Sequence, residues 1–492
     1  MFKRIVFISV FQIGYGGGDG RVAHEMAAHF SAGHDAVLLC PGPDTGLMET
    51  AGLKVFSVQS SGEGHFLIPL LTQRNIRKIY DFLEEFRPDV IHAHDPALLA
   101  VIVQVWARMS RVPFVYTAHE LPARILDFAL KEVVRLPVDF LAVPITRGFL
   151  EDFYLNCDAA VALNSIAARG IREFGYAGRL FVIPNGRDLR HYDACRPADI
   201  TQQRKILTFV GFISRRKNQI YLLEMLKHLP AEYCLRLIGE PLDPDYKVEL
   251  ETYAKDNHLD NVEFCGEVRY DDISAQYEAA HVLVSASKLE VQSLVVIEAL
   301  ASGTPVVGLS NETIDELVDE GDGVWLPKDT PPADFAAAVV HLCTLPPAEY
   351  LRLCQHARDR VRHLDWGNIT QQAIDMYEWL IREKAAATRV ETTRPARLML
   401  PRMGPGTHGL ASRVGPVLKV PPNLARLADG LAGRINALRP SRRLNAGIRN
   451  VEGLVRRVRR VRQRTWLFAG LTALASILAY AFVRRRPHGP GR

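Results

Sequence analysis

Ser285-Ala-Ser-Lys-Leu-Glu290-Val-Gln-Ser-Leu-Val-Val-Ile-Glu298-Ala-Leu-Ala-Ser-Gly303-Thr-Pro-Val-Val307 decides how the rest of this 492-residue chain is read. An apolar run over 282–285 leads into it, a helix pattern covers 294–302, and a second apolar run over 305–308 leaves it. Strand, loop, helix and strand in that order make a parallel β/α/β unit. Glu298 stands inside the apolar helix, where an ionised carboxylate without a partner is very costly. Its donors are either a ligand's hydroxyls or the protein backbone. Glu290 comes eight residues earlier, before the helix begins near Ser293. The two carboxylates cannot share a helical face, so they reach different parts of an extended ligand. The amides at Gln292, Ser293 and Leu294 form the positive end of the helix, a ready place for phosphate.

The same alternation extends in both directions. Upstream, apolar runs over 5–10, 36–39, 90–93, 114–117, 159–163 and 180–183 are separated by helix patterns, with a glycine-rich turn over 14–20 before the first. A polar joint over 187–204 follows, then a second set of strands over 206–210, 235–238, 262–264, 282–285 and 305–308. Runs of four to six apolar residues between helices indicate parallel sheets covered on both faces. The fold class is α/β, two tandem Rossmann-like domains over 1–186 and 187–365, with ligands expected in the cleft at the carboxyl edges of the sheets. Residues 366–384, with Ile369, Ala373, Met376 and Trp379 at helical spacing, read as a helix crossing back to the first domain.

The tail differs in kind. Residues 385–492 hold 22 Lys/Arg against 3 Asp/Glu, and the preceding 384 residues hold 38 against 52. An acidic body with a basic tail points to an anionic surface, nucleic acid or lipid. Residues 466–483 are 18 in a row without a charge, about the minimum for a transmembrane helix, flanked by six arginines before and three after. Lipid is therefore the expected surface and nucleic acid is not expected. Residues 385–465 read as a Pro/Gly/Arg-rich linker and basic amphipathic helices on a membrane. The heavier positive flank places the body on the cytoplasmic face of the cell's inner membrane. Seven cysteines without a C-x-x-C pair indicate a reducing compartment. The N-terminal apolar run is too short for a signal peptide.

Two features are decoys. Asp243-Pro-Asp245 has the form of a metal-binding D-x-D but follows a strand as a turn does. His92 and His94 share a strand face, and no third ligand has suitable spacing. The turn over 14–20 lacks G-x-G-x-x-G, so it reads as a loop that lets phosphate or acceptor approach the backbone.

Taken together, the motifs resemble the retaining, family-4 (group 1) glycosyltransferases of the GT-B fold, over roughly residues 1–384. The E-x7-E signature matches Glu290 and Glu298. Gly17-Gly18 with Arg21-Val22 looks like the family's first glycine-rich loop, Pro88-Asp-Val-Ile-His-Ala-His94 like its third-strand motif, and Tyr116-Thr-Ala-His119 like its active-site histidine motif. Ile183-Pro-Asn-Gly186 resembles the end of the first domain, and Phe209-Val-Gly211 to Lys217-Asn218 the diphosphate-binding segment. The resemblance implies a nucleotide-diphosphate sugar as donor, with Glu298 on the ribose, Glu290 on the donor sugar, Lys217 on the diphosphate and His119 near the transferred sugar. It implies neither metal nor cofactor, and retention of configuration. Phe212 stands where the family has an arginine, which leaves Arg215 or Arg216 as substitutes. Glu290-Val-Gln-Ser-Leu294 replaces the family's E-G-F-G-L. The membrane tail points to a lipid, polyprenyl carrier or cell-envelope glycan as acceptor. The competing readings are a GT-B nucleotide-sugar epimerase, which needs no membrane, and a non-catalytic membrane scaffold.

Overall fold

The computed structural model describes residues 2–14, 17–50, 52–63, 66–123 and 139–393. The stretch 394–465 and the apolar segment 466–483 lie outside the described residues, among which no helix is long and apolar enough to cross a membrane.

The first half contains β1 (Arg4–Ile8), α1 (Gly17–Ser31), β2 (Asp35–Gly42), β3 (Gly46–Thr50), β4 (Leu53–Glu63), β5 (Phe66–Pro69), α2 (Gln73–Phe86), β6 (Val90–Ala93), α3 (Leu98–Met109), β7 (Phe114–Ala118), α4 (Asp139–Leu155), β8 (Ala159–Ala162), α5 (Ser165–Glu173) and β9 (Leu180–Val182). Its sheet runs β3-β4-β2-β1-β6-β7-β8-β9, with β5 on β4. The buried strands pair in parallel, whereas β3 and β5 run antiparallel to β4. The expected strand over 5–10 stops at Ile8. Ser9 still donates to Leu39, but Val10 donates its amide to the Asp95 carboxylate (3.0 Å), which draws the chain off the sheet. The hairpin strands β3 to β5 have no counterpart in the sequence reading, since β3 is mostly exposed and lacks an apolar run.

The second half contains β10 (Lys205–Val210), α6 (Gln219–Leu226), β11 (Tyr233–Ile238), α7 (Pro244–Asp256), β12 (Val262–Gly266), α8 (Tyr270–Glu278), β13 (Val282–Ser285), α9 (Leu294–Ser302), β14 (Val306–Leu309), α10 (Glu312–Leu317), β15 (Gly323–Leu326), α11 (Pro332–Cys343), α12 (Pro347–Val361) and α13 (Trp366–Thr393). These strands form a parallel sheet in the order β12-β11-β10-β13-β14-β15. Strand order reverses between β10 and β13, and ligands of such sheets bind at that switch point.

The joint between the halves is built by backbone. Arg187 donates to Leu364 (2.9 Å), and Trp366 donates back to Arg187 (3.1 Å). Gly186 is required there because a Cβ would run into the Trp366 indole. From Trp366, α13 buries Ile369, Ala373, Met376, Tyr377 and Leu380 against the first sheet. Lys384 ties it down on Asp158 (2.7 Å) and the Val112 carbonyl (2.9 Å). Trp379, expected on the buried face, is instead 38% exposed, with its ring against Phe181 and Arg179.

Candidate active site

The site is assembled at the carboxyl ends of β10 and β13. After β10 the chain turns through Gly211 and Phe212, and Gln219, fully buried at the start of α6, clamps the turn by donating to the Phe212 carbonyl (2.9 Å). Asn218 adopts a left-handed conformation (φ 60°) that aims Lys217 inward. Its ammonium forms an ion pair with Glu290, and both side chains are only 11% exposed. Burial alone would raise the Glu290 carboxyl. The charges of Lys217 and Arg216, with hydrogen bonds from Lys217 and Ser287, outweigh that and hold it below the usual carboxylate range.

The two arginines that could replace the missing one behave oppositely. Arg215 turns away, 59% exposed, onto Glu249 (2.5 Å) and Asp243 (3.7 Å), with its guanidinium over Tyr246. Arg216 crosses the cleft to Glu120 (2.9 Å), the residue after His119. Arg216 is thus the cleft-facing member. Asp243 caps α7, accepting from the Tyr246 amide (3.1 Å), as its turn reading requires.

The loop carrying Glu290 is bonded to the first half of the chain. Asn164 donates to the Val291 carbonyl (2.8 Å), the Gln292 amide oxygen accepts from the Asn185 backbone (2.6 Å), and its nitrogen donates to Leu163 (3.4 Å). Ser293 precedes α9 and gives its own amide to Thr313 (2.8 Å). Leu294 lies close to the glycine-rich start of α1. A Cβ added at Gly18 would sit 3.9 Å from its side chain, and Gly17 opens that helix. Gln292, Ser293 and Leu294 are therefore held where α1, β10 and α9 converge. Of these, Gln292 serves the loop's attachment through its side chain. Beside it, burial raises the Glu316 carboxyl to about 7, against hydrogen bonds from Asn164 and Gln292 that lower it.

Glu298 is placed differently. In the middle of α9 it pairs with Arg187, which is fully buried, and accepts from the Tyr277 hydroxyl (2.8 Å). Arg187 in turn grips both oxygens of Glu25 on α1 (2.7 and 2.8 Å), and Glu25 accepts from Trp366 (3.0 Å) and Arg21 (2.8 Å). Burial would raise Glu25, but Arg187 and Arg21 hold it below the usual range. The donors that an acid in an apolar helix demands are thus supplied by the protein. Each Glu298 oxygen keeps a further lone pair, but the side chain is only 6% exposed. Sequence reasoning missed Arg187, Glu25 and Tyr277. The signal in sequence is the arginine directly after Ile183-Pro-Asn-Gly186, the first residue of the polar joint.

His119 follows β7 and is buried, its Nε2 2.9 Å from His94 Nδ1. His92 bonds to the Tyr377 hydroxyl (2.5 Å) and to Thr117 (2.7 Å). Burial pushes His119 down to about 4.

Sequence profiles of two families match the chain: "Glycosyltransferase Family 4" over residues 16–191 and "Glycosyl transferases group 1" over 204–344. A D-inositol 3-phosphate glycosyltransferase of Corynebacterium kroppenstedtii is 26% identical over 56% of this chain and 63% of its own length. An alpha-monoglucosyldiacylglycerol synthase of Streptococcus pneumoniae is 26% identical over 50% of this chain and 57% of its own. The chain thus spans about three fifths of these relatives. Among solved structures, sucrose-phosphate synthase from Thermosynechococcus elongatus superposes with a TM-score of 0.64 at 20% identity, covering 77% of this chain and 100% of that one. HepE of Anabaena in complex with UDP and glucose gives 0.60 at 20%, with the same coverage.

Proposed function

Because this chain belongs to the group 1, family 4 glycosyltransferases of GT-B fold, we propose that it moves a sugar from a nucleotide-diphosphate donor to a membrane-associated acceptor, with retention of configuration. The observation that carries the reading is the buried Lys217–Glu290 pair at the switch point, with Arg216 beside it reaching Glu120, the residue after His119.

Breaking a sugar–phosphate bond builds negative charge on the diphosphate and positive charge at the anomeric carbon. Lys217 and the first-turn amides of α9 after Ser293, whose own amide is taken by Thr313, meet the first, a donor set that acts without a metal. In a closed cleft such stabilisation is worth several kcal/mol. Glu290, released from Lys217 when the diphosphate takes its place, meets the donor sugar. Arg216 supplies the second positive partner that Phe212 cannot. Glu298 reaches the ribose only through its remaining lone pairs, with Arg187 still bound or drawn aside. Retention places acceptor attack on the leaving-group face, where the departing phosphate takes the acceptor's proton.

The acceptor is a lipid, a polyprenyl carrier or a cell-envelope glycan. The tail, with its arginines on an anionic membrane surface and its apolar 466–483 segment, holds the body on the cytoplasmic face of the inner membrane. The diacylglycerol in the name of the Streptococcus pneumoniae relative supports an acceptor of that kind. The engagement of Glu298 by Arg187 and Tyr277 favours the non-catalytic scaffold as second reading. Product analysis separates them. Full-length protein, membrane extract and a panel of radiolabelled sugar nucleotides should yield label in lipid or glycan. Label in an epimerised sugar nucleotide would establish the epimerase, and label left entirely in the donors the scaffold.

A further inference from the structure

The donor site uses one imidazole of a larger cluster. His92 on β6 and His94 just past its end lie with ring centroids 4.7 Å apart, and His94 reaches His119, just past the end of β7, with the rings inclined by 21°. His92 has a partner on each nitrogen. His94 and His119 have only each other, Nδ1 to Nε2, and among the described residues His94 Nε2 and His119 Nδ1 are buried without a hydrogen-bond partner. His94 also lines a cavity of about 20 Å³ with Thr117 and Asn185, room for one water.

Burial holds both rings far below the ordinary imidazole range, and the neighbouring histidines push His94 down further. At neutral pH each ring is therefore neutral, with one N–H and one bare nitrogen. A single proton lies in the bond between them, so the two tautomers are locked together. If His94 Nδ1–H donates, His119 must carry its own proton on Nδ1. If His119 Nε2–H donates, its Nδ1 is a bare lone pair. A bare lone pair repels phosphate oxygens and an N–H attracts them, whereas a sugar hydroxyl can accept from the N–H or donate to the lone pair and so does not discriminate. Only the first arrangement suits the diphosphate of a nucleotide sugar.

We propose that His94 is a positioning residue that donates from Nδ1 to His119 Nε2 and so fixes His119 as an Nδ1–H donor for the nucleotide sugar. This rests on the transferase reading for its ligand and on the histidine geometry for its mechanism.

The test uses full-length protein labelled with 15N-histidine, with the His119 signals assigned by their loss in His119→Gln. Nitrogen–proton correlation spectra should show His119 protonated on Nδ1. In His94→Phe the tautomer should shift toward Nε2–H. His94→Asn, whose amide nitrogen stands where Nδ1 stood, should restore it, and His94→Gln, which places its nitrogen at the Nε2 position, should not. With UDP-glucose as probe, kcat in His94→Phe and His94→Gln should fall by about tenfold or more, up to the ~10²–10³-fold of losing one donor outright. The donor KM should change little and His94→Asn should recover most of the loss. His119 protonated on Nε2 in the wild type, or an unchanged tautomer in both His94→Phe and His94→Gln, would overturn the assignment. Absence of transfer by the wild type would count against the transferase reading, while the tautomer result would still decide the role of His94.

Discussion

Glu290 and Glu298 stand eight residues apart in one loop and helix, yet they are held by opposite kinds of chemistry. Glu290 has one principal partner, Lys217, on a loop at the cleft. Glu298 is the centre of a chain, Glu25–Arg187–Glu298–Tyr277, that joins α1, the joint, α9 and α8, with Trp366 closing the far end. A single pair at a cleft can exchange one anion for another, a carboxylate for a diphosphate, without disturbing anything else. A buried chain cannot, because removing one member leaves a charge with nowhere to go. In the folded chain the first glutamate of the signature pairs with one lysine at the cleft and the second sits inside a buried chain of protein partners.

The buried chain should give the largest effect. Glu298→Ala leaves Arg187 buried with only Glu25, and it should cost about 3–5 kcal/mol of folding stability, the usual loss when one partner of a buried pair is removed. Chemical denaturation reads it. A variant as stable as the wild type would make Glu298 a ligand contact after all. Lys217→Ala should behave differently. It should lose less stability than Glu298→Ala, because Arg216 and Ser287 remain on Glu290, while kcat falls by about 10²–10³-fold, the scale of one lost transition-state donor.

The arginines sharpen the contrast. Arg216→Ala, which opens the cleft to Glu120, should lower kcat by about tenfold, on the lower side of losing a charged donor. Arg215→Ala, whose guanidinium lies on Glu249, should stay within about twofold, as exposed pairs contribute little. Equal losses in both would remove the cleft from the explanation.

The smallest effect concerns the loop's attachment. The Glu316 carboxyl is raised to about 7, mainly by burial, so the fold favours its neutral form. Its contribution to stability is fully present below its ordinary value of 4.5 and fades as pH rises through about 7. Glu316→Gln should remove that fade, so the wild type should lose melting temperature relative to the variant across this window. Parallel profiles would show that the carboxyl is not held neutral.

What was legible in the sequence follows from these environments. The buried parallel strands declared themselves as apolar runs, and Lys217, Glu290 and the start of α9 lie together because a strand-loop-helix unit can place them nowhere else. The hairpin β3–β5 did not, because its first strand faces solvent and its residues carry no period. Arg187 was hidden for a different reason. An arginine in a polar joint looks solvated, and Arg187 is buried by partners distant in sequence: Glu25, Tyr270, Glu298 and, 179 residues downstream, Trp366. Choosing between Arg215 and Arg216 likewise needed the other half of the chain, since Glu120 decides it. His92 and His94 show a shared strand face in sequence, but not the bond from His94 to His119, which joins the ends of two strands.

Calorimetric titration of UDP, GDP and ADP into the wild type and into Lys217→Ala tests the donor site most directly. At least one nucleoside diphosphate should bind the wild type, and its affinity should fall by about tenfold or more in the variant, as expected for losing a charged hydrogen-bond partner. Equal binding to both proteins, or binding of none of the three to the wild type, would contradict a diphosphate site at Lys217.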